Sequence, residues 1–317
     1  MTDAPALSLV TPALNEADNL PVFYARASAA ADATGLAWEW IVIDDHSHDR
    51  TFDVISELSR RDARVRGLRF ARRSGSHIAI ACGIDQARGD AAVVLAADLQ
   101  DPPETLGALV ARWRAGAEVV WAARSGRSSR SNGWLARGYY WMMRRPLGMT
   151  SMPEAGADFF LIDRKVIDTL RQFRETHVSL IALITWLGFR QEQIEYDKQP
   201  RLHGASGWPM SRKAKLVFDS LTGFSALPVT ACWLVGLCMV AASLALALAG
   251  FAGVGVGVLA PPLVIVVAAV GVVGGIGLVM LGVIGEYVWR TLDETRRRPR
   301  YVIEATTAGV SDRIGIS

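Results

Sequence analysis

The sequence predicts an α/β domain with a mainly parallel sheet, followed by a transmembrane hairpin. Three observations carry this. Short apolar, β-branched runs alternate with longer amphipathic stretches. Acids and hydroxyls gather where those runs end. Between Asp219 and Glu286 no residue is charged, although 21% of the 317-residue chain is.

The elements follow in order. "ALSLVTP" (6–12), "WEWIVIDD" (38–45), "VRGLRFA" (65–71) and "AAVVLAAD" (91–98) read as strands. Residues 17–33, 50–62, 77–88 and 103–115 read as the intervening and following helices. Ligands of such sheets bind beyond the carboxyl ends of the strands. This singles out "TPALNE", "DDHSHDRT" and "ADLQDPP".

A bilayer core takes about 20 apolar residues per helix, so the uncharged region holds two spans, near 227–250 and 261–285. They are separated by the glycine-rich "GFAGVGVGVLAPP". Arg212, Lys213 and Lys215 precede the first span, and Arg290, Arg296, Arg297, Arg298 and Arg300 follow the second. Both ends are therefore expected on the cytoplasmic face of the inner (plasma) membrane. The opening "MTDAPALSLVTP" lacks the basic start and apolar stretch of a signal peptide. Residues 1–220 are expected as a cytosolic domain, 227–285 as the hairpin and 286–317 as a cytosolic basic tail. Segments 134–148 and 207–223 mix aromatic and basic residues as membrane-interface helices do.

A net charge of +3 argues against a nucleic-acid partner, while its clustering beside the spans suits anionic lipid headgroups. The cysteines Cys82, Cys232 and Cys238 have neither disulfide nor zinc spacing. His46 and His48 lack further metal ligands nearby in sequence and read as polar residues at a pocket edge.

Three groups of residues carry chemistry. Pro12, Asn15 and Glu16 follow the first strand; Asp44, Asp45 and Ser47 follow the second. Asp and Ser there can accept hydrogen bonds from ribose hydroxyls or a base N–H. Asp49 and Thr51 read as helix capping. Asp98 and Gln100 offer the hard oxygens that Mg²⁺ or Mn²⁺ takes alongside substrate phosphates and water. Asp101, ahead of two prolines, is open between a helix cap and a site residue.

Together with "DFFLIDR", "WLGFRQ", "RLHGASGW" and "FSALP", these segments resemble the family 2 glycosyltransferases that use polyprenyl phosphate as acceptor. The similar groups are the dolichyl-phosphate mannose synthases and, closer, the bactoprenol glucosyltransferases. The resemblance implies a nucleotide-diphospho-sugar transferase (GT-A, Rossmann-like) domain and a pocket for the nucleotide sugar made by Pro12, Asn15, Glu16, Asp44, Asp45 and Ser47. It also implies a metal on Asp98 and Gln100, Arg124 near the sugar diphosphate, and Asp158 at the place of a proposed catalytic base. Arg201 and Ser206 fall in a loop that closes over the diphosphate and the lipid phosphate. A homo-oligomer, a tetramer by analogy, is implied as well. The implied reaction is inverting transfer of a hexose, from UDP-glucose or a related UDP-hexose, to polyprenyl phosphate.

The chain departs from the family pattern at Ala96, where one carboxylate is lost, at Leu14 and Phe160, and at Gly207 before Trp208. A GDP-mannose-dependent enzyme and a catalytically weak, membrane-anchored nucleotide-sugar-binding protein are the alternatives. A processive synthase would need Gln-x-x-Arg-Trp, and the only Arg-Trp, Arg112–Trp113, has Leu109 in place of the Gln.

Overall fold

The structure, a computed structural model, describes residues 4–124, 157–173, 179–199, 232, 234–239, 241, 262–296 and 298–307. The chain forms two compact units: Met1–Pro209 with Pro299–Ser317, and Met210–Arg298.

The first unit is built on one eight-stranded sheet. In chain order its elements are β1 (Leu7–Ala13), α1 (Leu20–Asp32), β2 (Trp38–Asp44), α2 (Thr51–Arg61), β3 (Val65–Phe70), α3 (Ser76–Gln86) and β4 (Ala91–Val94). A 3₁₀ turn (Pro103–Thr105), α4 (Leu106–Arg114) and β5 (Val119–Arg124) follow. Then come β6 (Ala157–Asp163), α5 (Arg164–Leu170), α6 (Leu180–Trp186) and β7 (Gln191–Tyr196). The last strand, β8 (Ile303–Thr306), lies beyond the apolar region.

The strand order is β7-β5-β6-β4-β1-β2-β3-β8. Strands β4, β1, β2 and β3 run parallel, as do β5 and β7. The sheet is mixed, because β6 runs antiparallel to β4 and β5, and β8 antiparallel to β3. From β1 the chain moves one way to β2 and β3, and the other way to β4. The switch point thus lies between β1 and β4, where such folds open a crevice at the strand ends.

The helices form because their apolar residues recur at helical spacing. α1 buries Leu20, Phe23, Ala27 and Ala31, and α2 buries Ile55 and Leu58. Trp40 is 1% exposed between Phe23 and Tyr24, and its Nε1–H donates to Thr11 Oγ1 at 2.9 Å. The indole thus gains burial without losing its donor. Gly83 lets α3 settle on β1, since a Cβ there would overlap Val10.

Several boundaries differ from the sequence reading. β4 ends at Val94 and not at Asp98. Leu95 N–H still reaches Val10 O at 2.9 Å, but the chain then turns through a left-handed Leu99. Residues 303–306, read as part of a basic tail, are a sheet strand. Tyr301 stacks on Phe70 with ring centroids 5.2 Å apart, and Thr307 and Gly67 exchange bonds (the N–H of Thr307 to Gly67 O, that of Gly67 to Thr307 Oγ1), both 3.0 Å.

In the second unit, α7 (Pro262–Thr295) runs 34 residues, past the expected end at 285. Nothing in its sequence breaks the helix before the arginines that precede Pro299. Val272–Asp293 is long and apolar enough to cross a membrane, and it is the one such helix among the described residues. Residues 234–239 are helical, and a Cβ at Gly236 would lie 3.6 Å from Met280 Cε on α7. The rest of the expected first span and both expected interface helices, 134–148 and 207–223, lie outside the described residues.

Away from the strand ends, Glu39 and Arg66 form a buried ion pair, Nη1 to Oε2 at 2.7 Å. Glu39 Oε1 also accepts from Ser8 Oγ and Arg88 N, both at 2.8 Å, which ties the turn before β4 to β1 and β2. Breaking a buried pair leaves one charge uncompensated. Glu39→Ala should therefore lower stability by about 3–5 kcal/mol, read as a fall in the melting temperature of the purified protein.

Candidate active site

Three loops meet at the carboxyl ends of β1, β2 and β4, each containing a non-glycine residue in the left-handed region. These are Asn15 (φ 57°), His46 (φ 61°) and Leu99 (φ 59°). Such conformations cost free energy and persist where the surroundings enforce them, often at functional sites. They are the three segments that the sequence singled out.

Hydrogen bonds hold the β1 and β2 loops to each other. Asn15 N–H donates to Ser47 Oγ at 2.9 Å, and His48 N–H to Asn15 Oδ1 at 3.0 Å. Glu16 N–H donates to Thr51 Oγ1 at 2.9 Å, and Ala17 N–H to Asp49 Oδ2 at 3.3 Å. Asp49 Oδ1 also accepts from Thr51 N–H and Thr51 Oγ1. Asp49 and Thr51 thus link the loops as well as starting α2.

The neighbouring acids Asp44 and Asp45 take different parts. Asp44 is fully buried; its Oδ1 accepts from Ser47 N–H at 2.9 Å, while its Oδ2 has no hydrogen-bond donor among the described residues. The nearest cation to Oδ2 among the described residues is Arg69, Nη1 at 3.6 Å. Asp45 accepts from Ser74 N–H at 2.6 Å and from Gly75 N–H at 2.8 Å, so it shapes the loop that opens α3. Burial pushes the Asp45 carboxyl above its ordinary value, against the lowering effect of those two N–H groups. Pro12 lies beside Ile43 in the β1–β2 register, and Glu16 Oε2 accepts from Asn19 Nδ2 at 2.6 Å.

In the β4 loop Asp98 is buried and Gln100 half-buried, with Gln100 N–H donating to Asp98 Oδ1 at 3.2 Å. No group of three or more His, Cys, Asp or Glu could hold a metal among the described residues. A hard ion here would take Asp98 and Gln100 from the described chain and complete its shell with substrate oxygens and water. The donor chemistry of the pair fits Mg²⁺ or Mn²⁺.

Asp101 does not cap a helix, because Pro102 precedes the 3₁₀ turn with no side-chain bond at its cap. Asp101 is 2% exposed; its Oδ1 accepts from Tyr196 Oη at 2.6 Å and lies 3.8 Å from Lys198 Nζ. Gln199 N–H donates to Gln100 O at 2.9 Å, so the chain just past β7 braces the Asp98–Asp101 turn.

For Arg124 and Asp158 the backbone is described. Because β6 is antiparallel, its first residues, with Asp158, lie at the edge where β4 ends, and Ala157 pairs with Ala123 beside Arg124. The topology thus brings both to the same end of the sheet as Asp98. Arg201 and Ser206 lie outside the described residues.

Sequence reasoning missed Arg69, Tyr196 and Lys198. Tyr196 was signalled faintly by "QEQIEY", whose Ile194 and Tyr196 share one face. Cys82 is no nucleophile candidate, since burial pushes its thiol up to about 12.

The mixed, mostly parallel sheet is that of the GT-A nucleotide-diphospho-sugar transferase fold. Residues 8–171 match the family model described as glycosyl transferase family 2, and the chain belongs to that family. It is a glycosyltransferase. An uncharacterised glycosyltransferase of Synechocystis is 33% identical over 94% of this chain and 94% of its own. One of Bacillus subtilis is 34% identical over 94% of this chain and 93% of its own. The prophage bactoprenol glucosyl transferase homolog of Escherichia coli is 31% identical over 94% of this chain and 98% of its own.

Replacing Tyr196 by Phe removes the 2.6 Å hydrogen bond to the buried Asp101 carboxylate. Tyr196→Phe should cost about 1–3 kcal/mol of stability, seen as a lower melting temperature.

Proposed function

We propose that the protein transfers a hexose from a nucleotide sugar, UDP-glucose or a related UDP-hexose, to the phosphate of a polyprenyl phosphate at a membrane surface. The observation that carries the donor half is Asp44 Oδ2. It is a buried carboxylate oxygen at a strand end, next to Arg69 but with no donor among the described residues. A base N–H or a ribose hydroxyl supplies the bond it lacks. Asn15, Ser47, Glu16 and Pro12 line the same loops, while Asp45 acts by fixing the loop at Ser74 and Gly75. The acceptor half rests on relatives over nearly the whole chain, among them the E. coli homolog named for bactoprenol glucosyl transfer.

In the reaction a lipid phosphate oxygen attacks the anomeric carbon from the face opposite the diphosphate. The bond from that carbon to the diphosphate breaks, with inversion, and the nucleoside diphosphate leaves. Asp98 and Gln100 are the residues to hold Mg²⁺ or Mn²⁺, which when bound neutralises charge on the leaving diphosphate. Two anions must also approach each other, and Arg124 and Arg201 are suited to clamp them. Asp158, on the same sheet edge, orients the acceptor. A phosphate monoester has a second pKa of about 6, so the nucleophile is already ionised at neutral pH. Ser206 belongs with Arg201 in closing over the phosphates.

The membrane part of the reading has its own support. The body that precedes the apolar region and the strand that follows it share one sheet. A chain that leaves a body and returns to it crosses a bilayer an even number of times or not at all. With α7 as one crossing, the helical segment around 234–239 supplies residues for the other, as in a hairpin. Arginines follow α7, so the catalytic unit belongs on the cytoplasmic side. A homo-oligomer is part of the same reading, with glycines of α7 available for close helix packing.

The test offers labelled UDP-glucose or GDP-mannose to the purified protein with polyprenyl phosphate and Mg²⁺ or Mn²⁺, and reads label in the organic extract. Transfer from UDP-glucose is expected, and Asp98→Ala should reduce it roughly 100-fold or more. Donor binding without transfer from any nucleotide sugar would leave a binding protein in place of an enzyme.

Asp158→Asn separates an orienting residue from an obligatory base. At about pH 8, above the phosphate pKa, turnover should stay within roughly tenfold of wild type. Removing an obligatory base would cost up to about 10⁴-fold.

A further inference from the structure

Arg69 and β8 have no part in the chemistry described so far, yet they meet at the nucleotide loops. In the β2–β3 ladder Arg69 stands opposite Asp44, and on its other side β8 pairs Arg69 with Ala305. The β3–β8 register shifts between Arg69 and Phe70. Irregularities of that kind re-aim a side chain and are frequent beside active sites. The guanidinium is engaged on three sides. Its Nε donates to Glu304 Oε2 at 3.2 Å, its Nη2 donates to Ser47 O at 3.1 Å, and its Nη1 lies 3.6 Å from Asp44 Oδ2. Glu304 also lies 3.8 Å from His46 Nδ1, which contacts Phe70 O at 3.0 Å.

We propose that β8 is a working part of the donor site: Glu304 fixes Arg69, and Arg69 holds Asp44 and the Ser47 backbone in place for the nucleotide. Arg69 and Glu304 are positioning residues, acting through Asp44. A planar fork can span three partners at once, whereas a lysine ammonium supplies charge without that geometry. The contact also makes the strand that follows the long apolar helix part of the nucleotide pocket. Donor binding therefore depends on β8 being docked.

The proposal rests on Asp44 receiving the nucleotide, so Asp44→Asn is tested in parallel. Donor binding by calorimetry, KM, kcat and melting temperature are measured for Glu304→Gln, Arg69→Lys and Arg69→Met in the full-length protein. Glu304 is half exposed, so Glu304→Gln should raise the donor KM only about 2- to 5-fold, with kcat at saturating donor little changed. Arg69→Met should raise KM roughly tenfold or more, and Arg69→Lys should fall between Met and wild type. If Arg69→Met does not fold, Glu304→Gln decides alone.

Loss of donor binding in Asp44→Asn with an unchanged KM in the Arg69 and Glu304 variants would overturn the inference and leave the functional reading standing. So would a joint fall of kcat and melting temperature at constant KM, which marks a purely structural strand. Undiminished donor binding in Asp44→Asn would instead sink the reading beneath it.

Discussion

Parallel strands that share one sheet must all end on the same side, and the site depends on that constraint. β2, β1 and β4 are held in continuous parallel register, so their three loops emerge together without any side chain having to direct them. Because the chain departs from β1 in opposite directions, no connection crosses the gap between the β1 and β4 loops. The antiparallel β6 then brings its beginning, and not its end, to this edge. The start of "DFFLIDR", with the backbone of Asp158, thereby comes to the end of the sheet where β4 finishes. The reversal in β6 lets residues far apart in sequence share one rim.

The rim is strained, and its hydrogen bonds show how the strain is held. A left-handed residue other than glycine costs roughly 1–2 kcal/mol, and Asn15, His46 and Leu99 each bear such a cost. Asn15 is the mildest case, since its side chain accepts from His48 N–H on the facing loop. His46 contacts the carbonyl of Phe70 on β3, and Leu99 is 2% exposed in the core. No loop is stabilised by itself alone; each leans on a neighbouring strand or on the core. Loosening one would therefore disturb the others.

Much of this was legible in the sequence. β1, β2 and β4 and their loops announce themselves because each strand is buried along nearly its whole length and reads as a mostly apolar run followed by polar residues. The later strands are quieter. β7 is a sheet edge whose "QEQIEY" puts its two glutamates on opposite faces, and β8 has four residues and acquires its identity only from β3. The pair Asp44–Asp45 shows the limit for side chains. Asp44, the last residue of β2, keeps its Oδ2 without a donor among the described residues, whereas Asp45, just past the strand, turns to the backbone of Ser74 and Gly75. Sequence marks both as important, but only the fold separates them. Asp101 was open between cap and site for a similar reason, as its partner Tyr196 lies 95 residues away.

The placement of β8 changes how the apolar region should be viewed. From the standpoint of the sheet it is an insertion between β7 and β8 and not a terminal anchor. The Gly67–Thr307 bonds close a loop of 240 residues. The entropic cost of loop closure grows only as the logarithm of length, about 0.6 kcal/mol per doubling, so so long an insertion is thermodynamically tolerable. β8 also covers the outer edge of β3, which would otherwise offer unpaired backbone groups to other chains. The sheet thus stays incomplete at its β3 edge until the apolar region has been synthesised. Because that edge adjoins Arg69 and Asp44, completing the sheet is also what gives Arg69 its Glu304 partner.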